Sequence, residues 1–102
     1  MGCNCCGCPN LIAATGITAS TGVTVITLPE GTTFSNGQCY CIGLFLDVPA
    51  GTNGNQINIS VGGTTYTVFN KVANLWRPKC ALRGRSVLRL RFFNDPNHFL
   101  KV

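Results

Sequence analysis

A chain of 102 residues with 45% hydrophobic side chains is long enough for one domain with its own core, which needs no metal to fold. Eight Lys and Arg against three acids (Glu30, Asp47 and Asp95) give a formal net charge of +5 and too few carboxylates for glycoside-type acid–base chemistry. No run approaches the ~18 apolar residues of a membrane helix, and the first residues lack the basic and apolar regions of a secretory signal, so the expectation is synthesis in a cytoplasm.

The chain opens MGCNCCGC, and residues 1–22 read as an extended Cys-rich N-terminal arm ahead of a domain over 23–102. Cys3, Cys5, Cys6 and Cys8 hold two overlapping C-x-x-C spacings, Cys3/Cys6 and Cys5/Cys8. Such a turn brings two thiolates to one Zn²⁺ at ~2.3 Å, but interleaved pairs fold poorly into one tetrahedral site. A zinc site would need Cys39, Cys41 and Cys80, or another subunit, as its second half. The other readings are disulfides within or between chains, formed in an oxidising medium, and an inert tail. The total of seven cysteines is odd, so one thiol at least has no intrachain partner. Met1-Gly2-Cys3 invites lipidation, yet Cys6 stands where that pattern wants Ser or Thr.

Ile12 to Thr18 reads as a short first strand or as part of the arm. Val23 to Leu28 is a β-branched run ended by Pro29-Glu30-Gly31, a strand signature. Asn36-Gly37 tolerates the positive φ of a tight hairpin turn. Gln38 to Asp47 follows, with Tyr40, Ile42, Leu44 and Leu46 on one side and Cys41, Gly43 and Phe45 on the other. Both sides are apolar, which predicts a central strand. Cys39 and Cys41 share a face and read as small buried hydrophobes.

Gln56 to Val61 alternates cleanly, Gly62-Gly63 turns, and Thr64 to Phe69 returns: a hairpin. Asn70 to Cys80 is an irregular crossing in which Trp76 plugs one end of the domain or anchors a partner. Ser86 to Phe93 is a strand, Asn94-Asp95-Pro96-Asn97 a turn, and His98 to Val102 a last strand. Seven or eight short strands without helical periodicity predict an all-β fold, a single small β-sandwich of immunoglobulin-like or jelly-roll-like order.

Arg83, Arg85, Arg89 and Arg91 all carry odd numbers. A strand reaching that far back puts all four on one face, ~7 Å apart, with Leu88, Leu90 and Phe92 facing the core. Arg77, Lys71 and Lys79 extend the row. No acids alternate to match it, which points to an external partner: an acidic protein face read by the guanidinium fork. The alternatives are a solvated strand face and nucleic acid, the latter with Phe93 as the one interleaved aromatic. Catalysis is not expected: His98 is the sole histidine, and Asp95-Pro96-Asn97-His98 reads as a turn.

From Val23 onward the chain resembles a group of small β-rich proteins encoded in phages and prophages of gut bacteria. The resemblance lies in Leu28-Pro29, Asn36-Gly37-Gln38, Val48-Pro49-Ala50, the Gly62-Gly63 hairpin with Tyr66, Phe69-Asn70-Lys71, and the closing Asn94-Asp95-Pro96-Asn97-His98-Phe99-Leu100. The sequence departs from that pattern at Ala73-Asn74-Leu75-Trp76, where the group carries a Gly-Asn-Pro turn. The resemblance implies an auxiliary, decoration-type protein on a tailed-phage capsid, bound to the major capsid protein or other virion subunits, with self-association as a further option. It implies no catalytic or metal-binding residues.

Overall fold

The computed structural model describes residues 11–70, 74–78 and 82–102. Among them the chain is all-β, with eight strands: β1 (Leu11–Ala13), β2 (Gly16–Ser20), β3 (Val23–Leu28), β4 (Cys39–Leu44), β5 (Gln56–Val61), β6 (Thr64–Phe69), β7 (Ser86–Asn94) and β8 (Asn97–Lys101). The all-β class agrees with the expectation. The arrangement differs from two separate packed sheets: the strands form one mixed sheet, ordered β1-β4-β7-β8-β6-β5-β3-β2, curled into a half-barrel.

Two features hold this sheet together. The first is a narrow seam: β6 and β8 run parallel and pair only through Val68–Phe99 and Phe69–Leu100. Without that seam the strands would fall into two groups of four. The second is at the opposite edge. The outermost strands, β1 and β2, are consecutive in the chain. β1 lies parallel to β4 and β2 antiparallel to β3, and the step between them is fixed by Ala14 N–H donating to Gly43 O and Thr15 N–H to Thr27 O. One short stretch therefore serves both edges. Residues 12–18, read as one short strand or as part of the arm, instead fall in two strands, β1 and β2, divided at Ala14-Thr15; residues 1–10 of the expected arm lie outside the described residues.

Alternation sorts the side chains. Ile26 and Leu28 of β3, Ile57 and Ile59 of β5, and Leu90 of β7 point inward and are buried. The β5–β6 hairpin turns through Gly62 (φ 55°) and Gly63 (φ 88°), two successive left-handed residues that only glycine supplies cheaply. Asn36-Gly37 also turns, with Gly37 at φ 79°, but joins no hairpin. The neighbours of β3 are β2 and β5, and those of β4 are β1 and β7. The turn instead leans on the end of β7: Gly37 N–H donates to Phe92 O, and the Asn36 side chain accepts from Asn94 N–H. It carries Phe34 inward, where its ring meets Tyr40 (5.1 Å), Phe92 (5.3 Å) and Phe99 (4.9 Å).

The buried polar groups are satisfied locally. The Asn55 amide reaches Thr24 Oγ1 (3.2 Å), Ser20 O (3.3 Å) and Gly51 O (2.9 Å), and Thr52 Oγ1 accepts from Leu82 N–H (2.8 Å). This ties the loop ahead of β5 to β2 and β3. Asn55→Ala removes the donor while leaving the acceptors in place. We expect a loss of about 2–3 kcal/mol, read as a lower urea midpoint at unchanged slope.

Candidate functional site: the outer face of β1, β4 and β7

Strand β7 starts at Ser86, and that start redraws the row of arginines. Leu88, Leu90 and Phe92 face inward as expected, with Arg89 and Arg91 on the outer face. Arg85 precedes the strand with φ at 62°, the only described non-glycine residue in the left-handed region, so the period of two stops there. Arg83 and Arg85 belong to an exposed turn. Arg85 N–H donates to Leu44 O, and its side chain lines an open groove with Asp47, Phe45 and Leu82. Four arginines in line thus become two in line plus two at the strand's foot.

Arg77 is exposed on the crossing segment, outside the strands. Its neighbour Trp76 donates its backbone N–H to Val68 O, packs on the core and carries Lys101 Nζ at 5.5 Å from its ring. Lys101 pairs with Leu90 and shares the inward side of Phe99, so the partly buried Trp76 ring beside it packs on the core side of the sheet. Lys71, Lys79, Cys80, Cys3, Cys5, Cys6 and Cys8 lie outside the described residues.

The register sets out the outer face as three rows. Cys39 stands opposite Arg91, and Arg91 opposite Leu100. Leu11 stands opposite Cys41, and Cys41 opposite Arg89. Ala13 stands opposite Gly43, and Gly43 opposite Val87. Phe45 folds back over the bare backbone of Gly43, where a Cβ would overlap its ring. The three exposed large hydrophobics of the described chain therefore share one face: Leu11 (53%), Phe45 (53%) and Val87 (39%). Scattered single exposed hydrophobics are ordinary; a contiguous group rimmed by charge marks an interaction surface.

Neither arginine meets a carboxylate across the strands. The partners of Arg89 and Arg91 on β4 are Cys41 and Cys39, and Glu30, Asp47 and Asp95 are exposed elsewhere. Arg91 Nε–H points to Cys39 Sγ at 3.5 Å. Further along, Phe93 stacks on His98 (5.5 Å, 23°) and Phe69 meets His98 edge-on, so these rings engage one another.

Cys39 and Cys41 depart from the expectation of plain buried thiols. They are buried, but on the outer side, and both are disulfide-bonded. A disulfide sulfur has no thiolate to offer zinc, which withdraws these two residues as the second half of a metal site. Among the described residues no cluster of three metal-ligating side chains occurs.

A scan against protein-family models and searches of curated proteins and solved structures returned no match to the chain.

The apolar part of this face escaped the sequence reading. Its one available signal was the apolar second side of β4 (Cys41, Gly43, Phe45); the parallel neighbour β1, which adds Leu11, comes from a distant pairing that no local pattern announces.

Proposed function

We propose that the chain is a non-enzymatic structural protein that attaches to an acidic, partly apolar face of neighbouring protein subunits. The assembly its sequence resemblance implies is a tailed-phage capsid, where it acts as a decoration or cement protein on the major capsid protein. One observation carries the reading: Leu11, Phe45 and Val87 gather with Arg89 and Arg91 on one outer face, and no carboxylate stands in register with that face. Apolar contact supplies affinity, while the guanidinium forks choose a carboxylate-bearing partner and set orientation. A second copy is the poorer complement, since each chain brings +5 and only three acids. Repetition over a lattice raises total affinity above that of a single contact. The compact all-β body suits this role in either sandwich-like or half-barrel form, because only the outer face engages.

The test is co-sedimentation of the purified protein with intact particles lacking it. Saturable occupancy supports the reading. Free protein at the top of the gradient at every concentration overturns it. The apolar half of the face has its own check. In Gly43→Val the new side chain displaces the Phe45 ring, a half-exposed group free to swing away. Stability is expected to change by less than about 1 kcal/mol, while particle occupancy at limiting protein falls several-fold.

A further inference from the structure

The outer edge of β2 carries an inference that goes beyond attachment and stands whether or not that reading holds. β2 is the last strand of the sheet, and among the described residues it pairs on one side only, with β3. Its other side presents backbone N–H and C=O groups that no strand takes up.

The register says which groups these are. Ser20 and Val23 close a hairpin over the two-residue turn Thr21-Gly22. The pair that closes so short a loop exchanges its backbone hydrogen bonds, and such pairs recur at every second position. Ser20, Thr18 and Gly16 are thus bonded to Val23, Val25 and Thr27. Ile17 and Ala19 turn their N–H and C=O groups outward, one donor and one acceptor each. Their side chains face inward, Ile17 packing partly buried on the core, while Thr18 is exposed on the outer face.

Sheet edges are ordinarily guarded by charge, by Pro or by a covering segment. β2 reads Gly-Ile-Thr-Ala-Ser, with neither a charged residue nor a Pro. The first charged side chain in the sequence is Glu30, and every Lys and Arg lies at or beyond Lys71. A second copy, a poor complement to the arginine face, therefore brings a β2 that repels nothing here. β2 contributes no residue to the face that bears Arg89 and Arg91.

We propose that two copies of this chain pair antiparallel through β2, about a two-fold axis at Thr18. Ile17 of each copy then exchanges two hydrogen bonds with Ala19 of the other, which uses every outward group of both strands. Thr18 faces Thr18 as the close pair, with Cα atoms ~4.5 Å apart and hydroxyls within reach of each other. On the inner side, Ala19 of one copy covers what is left exposed of Ile17 of the other. Sliding either strand by two residues leaves outward groups unpaired, so the sequence favours this register over its neighbours. A contact of one short strand pair is smaller than a stable interface, and a Kd on the order of 0.5 mM is expected.

The test is sedimentation equilibrium of the free protein at concentrations spanning that Kd, with thiols alkylated beforehand so that no covalent dimer forms. No particles enter the experiment, so its failure leaves the attachment reading untouched. Wild-type protein is expected to show a reversible monomer–dimer equilibrium. Thr18→Lys and Thr18→Asp each set like charges face to face and are expected to weaken the dimer by at least ~10-fold. Their melting temperatures should match wild type, because Thr18 is exposed. An equal mixture of the two variants sets Lys against Asp and is expected to regain association. Wild-type protein that stays monomeric across the range overturns the proposal, as does a Thr18→Lys variant that dimerises like wild type. Variants that lose the dimer singly and do not regain it when mixed overturn the two-fold at Thr18.

Discussion

The double variant Arg89→Glu/Arg91→Glu is expected to lose particle attachment by at least about 100-fold while keeping its fold. The loss follows from what the two guanidiniums face. Their cross-strand partners on β4 are cysteines, so carboxylates that satisfy them come from a partner. Truncating one member of a desolvated charge pair costs about 2–5 kcal/mol, and reversing its sign adds repulsion. The fold survives because Arg89 is exposed and Arg91 is only half-buried, with one weak sulfur contact to lose. Surface changes of this kind stay within about 1 kcal/mol. Occupancy is read by co-sedimentation, with thermal melting beside it. Full occupancy by a folded double variant would remove the arginines from the interface.

Two companions separate charge from geometry. Arg89→Lys/Arg91→Lys keeps the charge and drops the planar fork, so an intermediate loss of about 10-fold is expected if bidentate pairing matters. Arg83→Glu/Arg85→Glu alters the foot of the strand, beside Phe45, and leaves Arg89, Arg91, Leu11 and Val87 in place, so occupancy is expected to stay near wild type. Equal losses in the two glutamate variants, with the lysine variant near wild type, would indicate general charge attraction. In that case binding of duplex DNA across a salt series becomes the deciding measurement, since phosphate contacts give a steep negative slope.

The contrast between the two arginine pairs shows how far local pattern reaches. Alternation found β5, the Gly62-Gly63 turn and the inward series of β7, because one buried face writes itself into every second residue. It placed the start of β7 at Ser86, as observed, but carried the alternation of the arginines back past that start, over Arg85 and Arg83. Arg85 adopts a left-handed φ that no count of odd numbers detects; Gly84, set between two arginines, was the available sign of a turn. A Cβ at Gly84 would sit 3.1 Å from Leu46 O, so the backbone closes tightly there. Likewise Asn36-Gly37 is a turn by its residues, but whether a turn joins paired strands depends on distant neighbours. The same holds for the sheet order: strand count alone does not tell two sheets from one sheet joined by the two residue pairs of β6 and β8. Cysteine chemistry was the least legible, since a buried thiol and a bonded one share the same place in a strand.

That seam is also where a single core change is expected to cost most. Phe99 is fully buried and stands opposite both Val68 and Phe92, so its side chain lies where the parallel β6–β8 junction meets the antiparallel β7–β8 pair. Its ring meets Phe34 at 4.9 Å, Phe92 at 5.3 Å and Tyr66 at 5.8 Å, mostly edge-to-face. Phe99→Ala therefore opens a cavity among packed rings and loosens a junction of only two residue pairs. A buried Phe→Ala change costs about 3–5 kcal/mol, against a total of about 5–15 kcal/mol for a domain. The melting temperature is expected to drop by about 15 °C or more. Phe45→Ala removes an equally large ring from the exposed face and is expected to shift it by only a few degrees. Attachment should show the reverse order: Phe99→Ala binds particles normally below its melting transition, whereas Phe45→Ala binds weakly at every temperature. Equal melting temperatures for the two variants would mean that the seam contributes no more to stability than the surface does. The half-barrel would then be held by its other strand pairs.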